Sequence, residues 1–144
     1  MSFFDFSGEV QQAVAEAPDE MARWCARTEV GHRLFPGAVE RAGFWLLQPR
    51  EAFRSDAKDQ VLVVGAASWS DPDMAALDRL AQQTRNHYVR VVVFDVDDWQ
   101  LEDILRAFPG APNPKATPFV LQYKRGALTY AGDGHDAVLW LEQI

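Results

Sequence analysis

Cysteine is nearly absent from this sequence of 144 residues, which contains only Cys25. A single cysteine cannot form an internal disulfide, so a fold held together by disulfides is excluded and nothing indicates an oxidising compartment. We expect Cys25 to be a buried thiol in a helical segment, because free cysteine is among the most often buried residue types. An exposed, reactive thiol is the alternative.

The sequence also lacks long apolar runs and an excess of basic residues. No stretch approaches the roughly 20 apolar residues that a membrane-spanning helix needs. Asp5 and Glu9 interrupt the region where a signal peptide would have its apolar core. The formal net charge is −7, which repels nucleic-acid phosphates and anionic membranes. We therefore expect a cytoplasmic protein that binds neither nucleic acid nor membranes and that suits a basic partner.

The residues that are present fit one folded domain, since 48% are hydrophobic and 24% are charged. Up to about residue 42 the periodicity is helical, and it predicts helices that begin at Ser7, Pro18 and Pro36, with Gly31 ending the second. Beyond that point strand and helix patterns alternate. The predicted strands span residues 44–47, 61–67, 89–96, 119–123 and 128–131, and the predicted helices span 50–55, 72–86, 101–108 and 136–144.

This order of elements predicts an α/β fold. Alternating strands and helices give parallel strands with crossover helices, and the hairpin near the end of the chain adds antiparallel strands. The expected architecture is a mixed central sheet with helices on both faces. We divide the chain into a helical N-terminal extension, residues 1–42, and one domain, residues 43–144.

Several local motifs occur in the same order as in thioredoxin. The segment VLVVGAASW, residues 61–69, resembles the central strand that leads to the active-site tryptophan. The segment ATP, residues 116–118, is followed by FVLQYKRG and resembles the cis-proline loop with its next strand and turn. Residues 43–144 therefore resemble the thioredoxin-like family. The resemblance implies a thioredoxin-like fold and a cis peptide bond before Pro118.

The resemblance breaks at the residues that carry the family's chemistry. Thioredoxins have Trp-Cys-Gly-Pro-Cys, and the matching residues here are Trp69, Ser70, Asp71, Pro72 and Asp73. A thiolate is the nucleophile of disulfide exchange, and neither serine nor aspartate can replace it. We therefore expect a redox-inactive member of the family, without dithiol–disulfide oxidoreductase activity, a cofactor or a metal.

The resemblance also implies a peptide-binding face that does not need the thiols. The family holds extended peptides through main-chain hydrogen bonds beside the cis-proline, and such strand addition requires no catalytic group. We hypothesise an adaptor or chaperone that holds a peptide or protein client on this face. The candidate binding residues are Trp69, Ser70, Asp71, Pro72, Asp73, Thr117, Pro118 and His135.

A looser similarity concerns the thioredoxin-like chaperones of hydrogenase maturation. They show a Ser-Asp-Pro at this helix start, which corresponds here to residues 70–72, and a Gly-x-His before the last helix, which corresponds to His135. This similarity implies a role in metalloenzyme maturation and a client that is a precursor protein with a twin-arginine signal.

Two alternative functions stay open. The chain is an enzyme if it uses Cys25 as a thiol, or a cluster of Asp71, Asp73 and His135 for acid–base or metal chemistry. The simpler interpretation of the aspartates is that Asp71 caps the helix and Asp73 stabilises its positive end. The chain is a structural subunit, which includes a homodimer, if residues 1–42 bind another chain.

Overall fold

The computed structural model of the chain describes residues 4–54, 60–83 and 89–144. Within these residues, no helix has the length and apolar character needed to cross a membrane. The described elements, in chain order, are α1 (Ser7–Glu16), α2 (Glu20–Arg41), β1 (Trp45–Leu46), β2 (Gln60–Ala66), α3 (Asp71–Gln83), β3 (Val89–Asp95), α4 (Leu101–Ala107), β4 (Phe119–Lys124), β5 (Ala127–Asp133) and α5 (Gly134–Leu141).

The five strands form one mixed sheet in the order β1-β3-β2-β4-β5. β1 and β2 both run parallel to β3, whereas β4 is antiparallel to β2 and β5 is antiparallel to β4. The parallel strands require crossover connections, and the antiparallel pair β4–β5 needs only a short turn. This topology confirms the predicted α/β fold with a mixed sheet, and the fold is thioredoxin-like.

Helices cover both faces of the sheet, because successive side chains of a strand point to opposite sides. Leu62 and Val64 of β2 belong to one hydrophobic cluster, together with apolar residues of α1, α2, α3 and α5. Val61 and Val63 belong to the second cluster, together with Ile104 of α4. The central strand is therefore buried on both faces, as its continuous apolar sequence predicts.

Helix α2 is one continuous helix, so the prediction of two helices that break at Gly31 and restart at Pro36 is wrong. Proline in a helix interior removes a hydrogen bond and costs about 3 kcal/mol. Packing offsets this cost, because Phe35, Ala38 and Val39 are fully buried against the sheet. Gly31 is buried where α2 crosses the end of β2, and it does not end the helix.

Two further sequence-based expectations are wrong. The Glu51 N–H donates to the Gln48 carbonyl at 3.0 Å in a turn, residues 52–54 follow without regular secondary structure, and the predicted helix is absent from residues 50–54. Residues 55–59, which hold the end of that predicted helix, lie outside the described part of the chain. Cys25 is exposed on α2, because the stretch around it faces solvent and the buried face of the helix begins further along, at Val30.

The predicted N-terminal extension shares its core with the predicted domain. Phe4, Phe6 and Val10 lie in the same hydrophobic cluster as Val64 of the central strand and Leu77 of α3. This packing ties residues 4–42 to one face of the sheet. The division of the chain at residue 42 stays a prediction.

Candidate functional site

The candidate site is built at the start of α3, directly after the central strand. The Ser70 hydroxyl accepts a hydrogen bond from the Asp73 N–H at 3.4 Å, and the Ser70 carbonyl accepts the first helical bond, from the Met74 N–H at 3.0 Å. These are the contacts of an N-cap residue. The expectation that Asp71 caps the helix is therefore wrong, since the cap is Ser70 and Asp71 is an exposed residue of the first turn.

Asp73 is buried, with only 1% of its surface exposed, and it holds three segments together. Its Oδ2 accepts a hydrogen bond from the Ala67 N–H at 2.8 Å. Its carboxylate also bonds to the Thr117 side chain in the cis-proline loop and to the Ser70 hydroxyl. Burial raises the pKa of the Asp73 carboxyl, and these three hydrogen bonds limit the rise. Asp73 thus connects the end of β2, the start of α3 and the loop before β4.

The cis-proline loop meets the start of α5 on the other side of the site. The Thr117–Pro118 bond is cis, as the resemblance implies. The Pro118 carbonyl accepts a hydrogen bond from the Gly134 N–H at 3.0 Å. A Cβ at Gly134 would lie 3.1 Å from the Ala116 Cβ, and its φ is +59°, so glycine allows this close approach. His135 follows Gly134 directly in the first turn of α5.

Hydrogen bonds at Asp73 and Gly134 connect the starts of α3 and α5 to the cis-proline loop, so most of the predicted site residues lie around that loop. Asp71, Pro72 and His135 are exposed and Trp69 is partly exposed, whereas Pro118 is buried. We call the surface formed by residues 69–72, Thr117 and His135 the client face, after the hypothesis that a client binds there. Within the described residues, Asp71, Asp73 and His135 do not form a group with metal-ligand spacing. The chain has no pair of cysteines, so the client face carries no dithiol.

The N-terminal extension lies directly beside this site. A Cβ at Gly31 of α2 would lie 2.8 Å from the main-chain carbon and oxygen of Ser68, the residue before Trp69. A cavity of about 280 Å³ separates the N-terminal segment from α3. Its lining comes from Phe4, Asp5, Phe6, Ser7 and Gln11 on one side and from Asp71, Met74, Ala75 and Asp78 on the other.

A second polar cluster, at the carboxyl end of β3, is absent from the sequence-based predictions. His32 Nδ1 lies 2.9 Å from Asp95 Oδ2, and His32 Nε2 lies 3.9 Å from Asp97 Oδ2. Asp95 Oδ1 accepts the Asp97 N–H at 3.0 Å. Burial raises the pKa of Asp95 to about 6, and that hydrogen bond and the nearby His32 oppose the rise.

One sequence signal could have indicated part of this cluster. Asp95 lies at the carboxyl end of a buried parallel strand, and the carboxyl ends of such strands are where α/β folds place binding groups. His32 gives no such signal, because its position depends on α2 continuing through Gly31.

Known structures that resemble the chain include three thioredoxins. The reduced thioredoxin pre-protein of Schistosoma mansoni has 21% identity, 60% coverage of this chain, 76% coverage of its own and a TM-score of 0.47. Mitochondrial thioredoxin 3 of Saccharomyces cerevisiae has 21% identity, coverages of 70% and 92% and a TM-score of 0.46. Thioredoxin O2 of Arabidopsis thaliana has 18% identity, coverages of 72% and 91% and a TM-score of 0.49. No protein-family model and no curated protein matches the sequence.

Proposed function

We propose that this protein is a non-redox adaptor or chaperone that holds a protein or peptide client on the client face. The observation that supports the proposal most is Asp73, a buried carboxylate at the position of the second thioredoxin cysteine. Its hydrogen bonds fix the helix start and the cis-proline loop relative to each other without a thiol. The arrangement keeps a binding surface and lacks the nucleophile of disulfide exchange.

The rigid arrangement favours strand addition as the binding mode. A client in extended conformation would pair with the main chain beside Pro118, and the partly exposed Trp69 ring would contact one of its side chains. A preorganised site loses less conformational entropy on binding, which favours affinity. The hydrogen bond from the Gly134 N–H to the Pro118 carbonyl supports this view, because it restrains the loop from the side of α5.

The charge of the protein favours a basic client. The net charge is −7, and Asp71 and Asp136 are exposed in the first turns of the two helices that border the client face. Complementary charge increases the association rate and selects the partner. In the narrower form of the proposal, the client is a metalloenzyme precursor whose signal contains two adjacent arginines.

The test is affinity capture of partners from the native host by the tagged full-length chain. We expect a stoichiometric partner that is lost in the variant Trp69→Ala/His135→Ala and retained in Trp45→Ala. Trp45 is a matched control because it is an exposed tryptophan, 61% accessible, on the edge strand β1. Retention of the partner by the double variant, with its fold verified by circular dichroism, would contradict the proposal.

A peptide titration tests the charge preference separately. Fluorescence anisotropy of a labelled peptide with two adjacent arginines should show saturable binding that weakens with added salt, since exposed charges are screened. The same peptide with two glutamines should bind more weakly. Equal binding of the two peptides would remove the basic client from the proposal and leave the client face in place.

An exposed apolar pair on α2 favours one alternative function, that of a structural subunit. Met21 is 70% accessible and Trp24 is 55% accessible, although both are large apolar side chains. If this pair is the binding surface, Met21→Ser/Trp24→Ser would lose a partner that the client-face variant keeps. The capture experiment therefore separates the two functions.

A further inference from the structure

Three side chains, from α2, β3 and the turn after β3, converge at the carboxyl end of β3, outside the client face. His32 comes from α2, Asp95 is the last residue of β3, and Asp97 follows in the next turn. One potential ligand atom of each lies within 4.8 Å of the others. A histidine flanked by two carboxylates is a set of groups that can bind a divalent cation.

We propose that His32 Nε2 and the Asp97 carboxylate bind a divalent transition-metal ion, and that Asp95 orients the imidazole. Asp95 is buried and its Oδ2 lies 2.9 Å from His32 Nδ1, which places the ring proton on Nδ1. This leaves Nε2 with a lone pair, 3.9 Å from Asp97 Oδ2. Metal-binding histidines commonly donate their other N–H to a carboxylate in this way.

The distance between the His32 imidazole and the Asp97 carboxylate fits a bound ion. The distance of 3.9 Å between His32 Nε2 and Asp97 Oδ2 is too long for a hydrogen bond. Metal–nitrogen and metal–oxygen bonds of Zn²⁺ are about 2.0–2.2 Å, so an ion fits between the two atoms with only a small movement of the side chains. His32 and Asp97 are each about one-third exposed, with side-chain accessibilities of 32% and 30%, which gives the ion a path from solvent.

The surroundings supply negative charge and space for water. In the described residues, the ion pairs of Asp95 and Asp97 are with His32 only, and Asp98 adds a third carboxylate whose charge acts on Asp95. A cavity of about 60 Å³ adjoins the cluster, and His32, Asp95, Asp98 and Trp99 are among the residues that line it. Water in this cavity would complete the coordination of the ion.

The donor set selects the class of metal. One imidazole nitrogen with carboxylate and water oxygens suits Zn²⁺, Co²⁺ or Mn²⁺, whereas Ca²⁺ and Mg²⁺ prefer oxygen ligands alone. Two direct protein ligands bind more weakly than the four ligands of a structural zinc site. We therefore expect reversible binding of one ion per chain and not a permanently held metal.

The test is isothermal titration of the full-length, metal-free protein with Zn²⁺, repeated with Co²⁺ while visible absorption is recorded. We expect one saturable site per chain, an affinity at least ten times lower in His32→Ala and in Asp97→Asn, and loss of the cobalt band in both. Asp95→Asn should weaken binding by roughly 10–100-fold, as the loss of an orienting partner does. His135→Ala is the control matched in residue type and should bind like the wild type.

Asp97→Asn keeps the experiment decisive if His32→Ala does not fold, because Asp97 lies in an exposed turn and its main-chain N–H still bonds to Asp95. No saturable Zn²⁺ binding by the wild type would overturn the proposal. So would unchanged binding in Asp97→Asn, or a loss in His135→Ala equal to that in Asp97→Asn. Unchanged binding in Asp95→Asn would overturn the orienting role of Asp95.

Discussion

Asp73 is a buried residue whose contacts hold the start of α3 in place. Its carboxylate accepts hydrogen bonds from a main-chain N–H and from the side chains of Ser70 and Thr117, all in a buried position. Burial disfavours the charged form, whereas the hydrogen bonds favour it, and the net effect is a raised pKa. The stability of the fold should therefore depend on the protonation of this residue.

The first prediction concerns the pH dependence of stability at Asp73. In the unfolded chain its pKa is near 3.8, and in the folded chain it is higher. Between these values the folded state holds a proton that the unfolded state has lost, so this residue lowers stability as pH rises, by at most about 1.4 kcal/mol per pH unit. Asp73→Asn lacks this contribution. The free energy of unfolding of the wild type minus that of Asp73→Asn should therefore fall as pH rises through this interval.

Urea unfolding of both proteins across the acidic range measures this difference. Asparagine keeps an oxygen that can accept the Ala67 N–H, so the variant should fold. Parallel stability curves for the two proteins would show that the pKa of Asp73 is the same in the folded and unfolded chain.

The second prediction concerns a variant with cysteines at positions 70 and 73. In a background of Cys25→Ser, the variant Ser70→Cys/Asp73→Cys should form an internal disulfide under mild oxidation. A disulfide needs Cβ atoms about 3.5–4.5 Å apart, and an N-cap side chain that meets the main chain at the N3 position brings the two Cβ atoms toward that distance. The Ser70 side chain already turns toward residue 73, since its hydroxyl accepts the Asp73 N–H. Mass spectrometry would detect the loss of two hydrogens. The single variant Ser70→Cys in the same background is the control, and a double variant that stays reduced would contradict the assignment of these positions.

At the scale of the element, α2 is the helix whose course the rest of the site depends on. It passes the end of β2 at Gly31, presents His32 to Asp95 and continues through Pro36 to the buried residues Ala38 and Val39. The close approach at Gly31 requires a residue without a Cβ, because the main chain of Ser68 occupies the space. Side chains on α2 and at the end of β3 thus meet only because the helix is unbroken.

The third prediction tests that approach. Gly31→Ala should lower the free energy of unfolding by about 1–3 kcal/mol, because the new Cβ would overlap the Ser68 main chain. Gly37→Ala in the same helix is the matched control, since its Cβ would meet only the flexible end of Arg41. It should be neutral or stabilising by up to about 1 kcal/mol. Equal effects of the two substitutions in urea unfolding would show that α2 does not contact the residue before Trp69 this closely.

The same helix shows what the sequence could and could not predict. The buried strands were predictable because a continuous apolar run, such as residues 61–67, is typical of a strand that is covered on both faces. The continuity of α2 was not, because Gly31 and Pro36 are local helix-breaking signals and only tertiary packing overrides them. The serine and aspartate of the site were visible in the sequence. The burial of Asp73 was not, since it arises from contact with Thr117, which is distant in the chain.

At the scale of the whole molecule, the N-terminal helices and the sheet share one hydrophobic core. Phe35 of α2 is 1% exposed within the cluster that also contains Val64 of β2. Burial of a large aromatic side chain contributes strongly to stability. The residues before β1 should therefore contribute to the stability of the complete fold and not only to contacts with a partner.

The fourth prediction compares two aromatic residues of α2. Phe35→Ala should reduce the free energy of unfolding by about 3–5 kcal/mol, because it leaves a cavity in the shared core. Trp24→Ala should change it by no more than about 0.5 kcal/mol, because that side chain is 55% exposed. Chemical unfolding monitored by circular dichroism measures both. A Phe35 variant as stable as the Trp24 variant would mean that α2 is not part of the core.

The carboxylate at position 73 cannot exchange with the thiols and disulfides of the cell, such as glutathione. A thioredoxin helix start exists in two covalent forms, and the thiol–disulfide poise of its surroundings determines which one a partner meets. The helix start described here, with Ser70 and Asp73, has a single covalent form. Neither side chain has a thiol to oxidise, so under the proposed function a client would meet the same two side chains in reducing and in oxidising conditions.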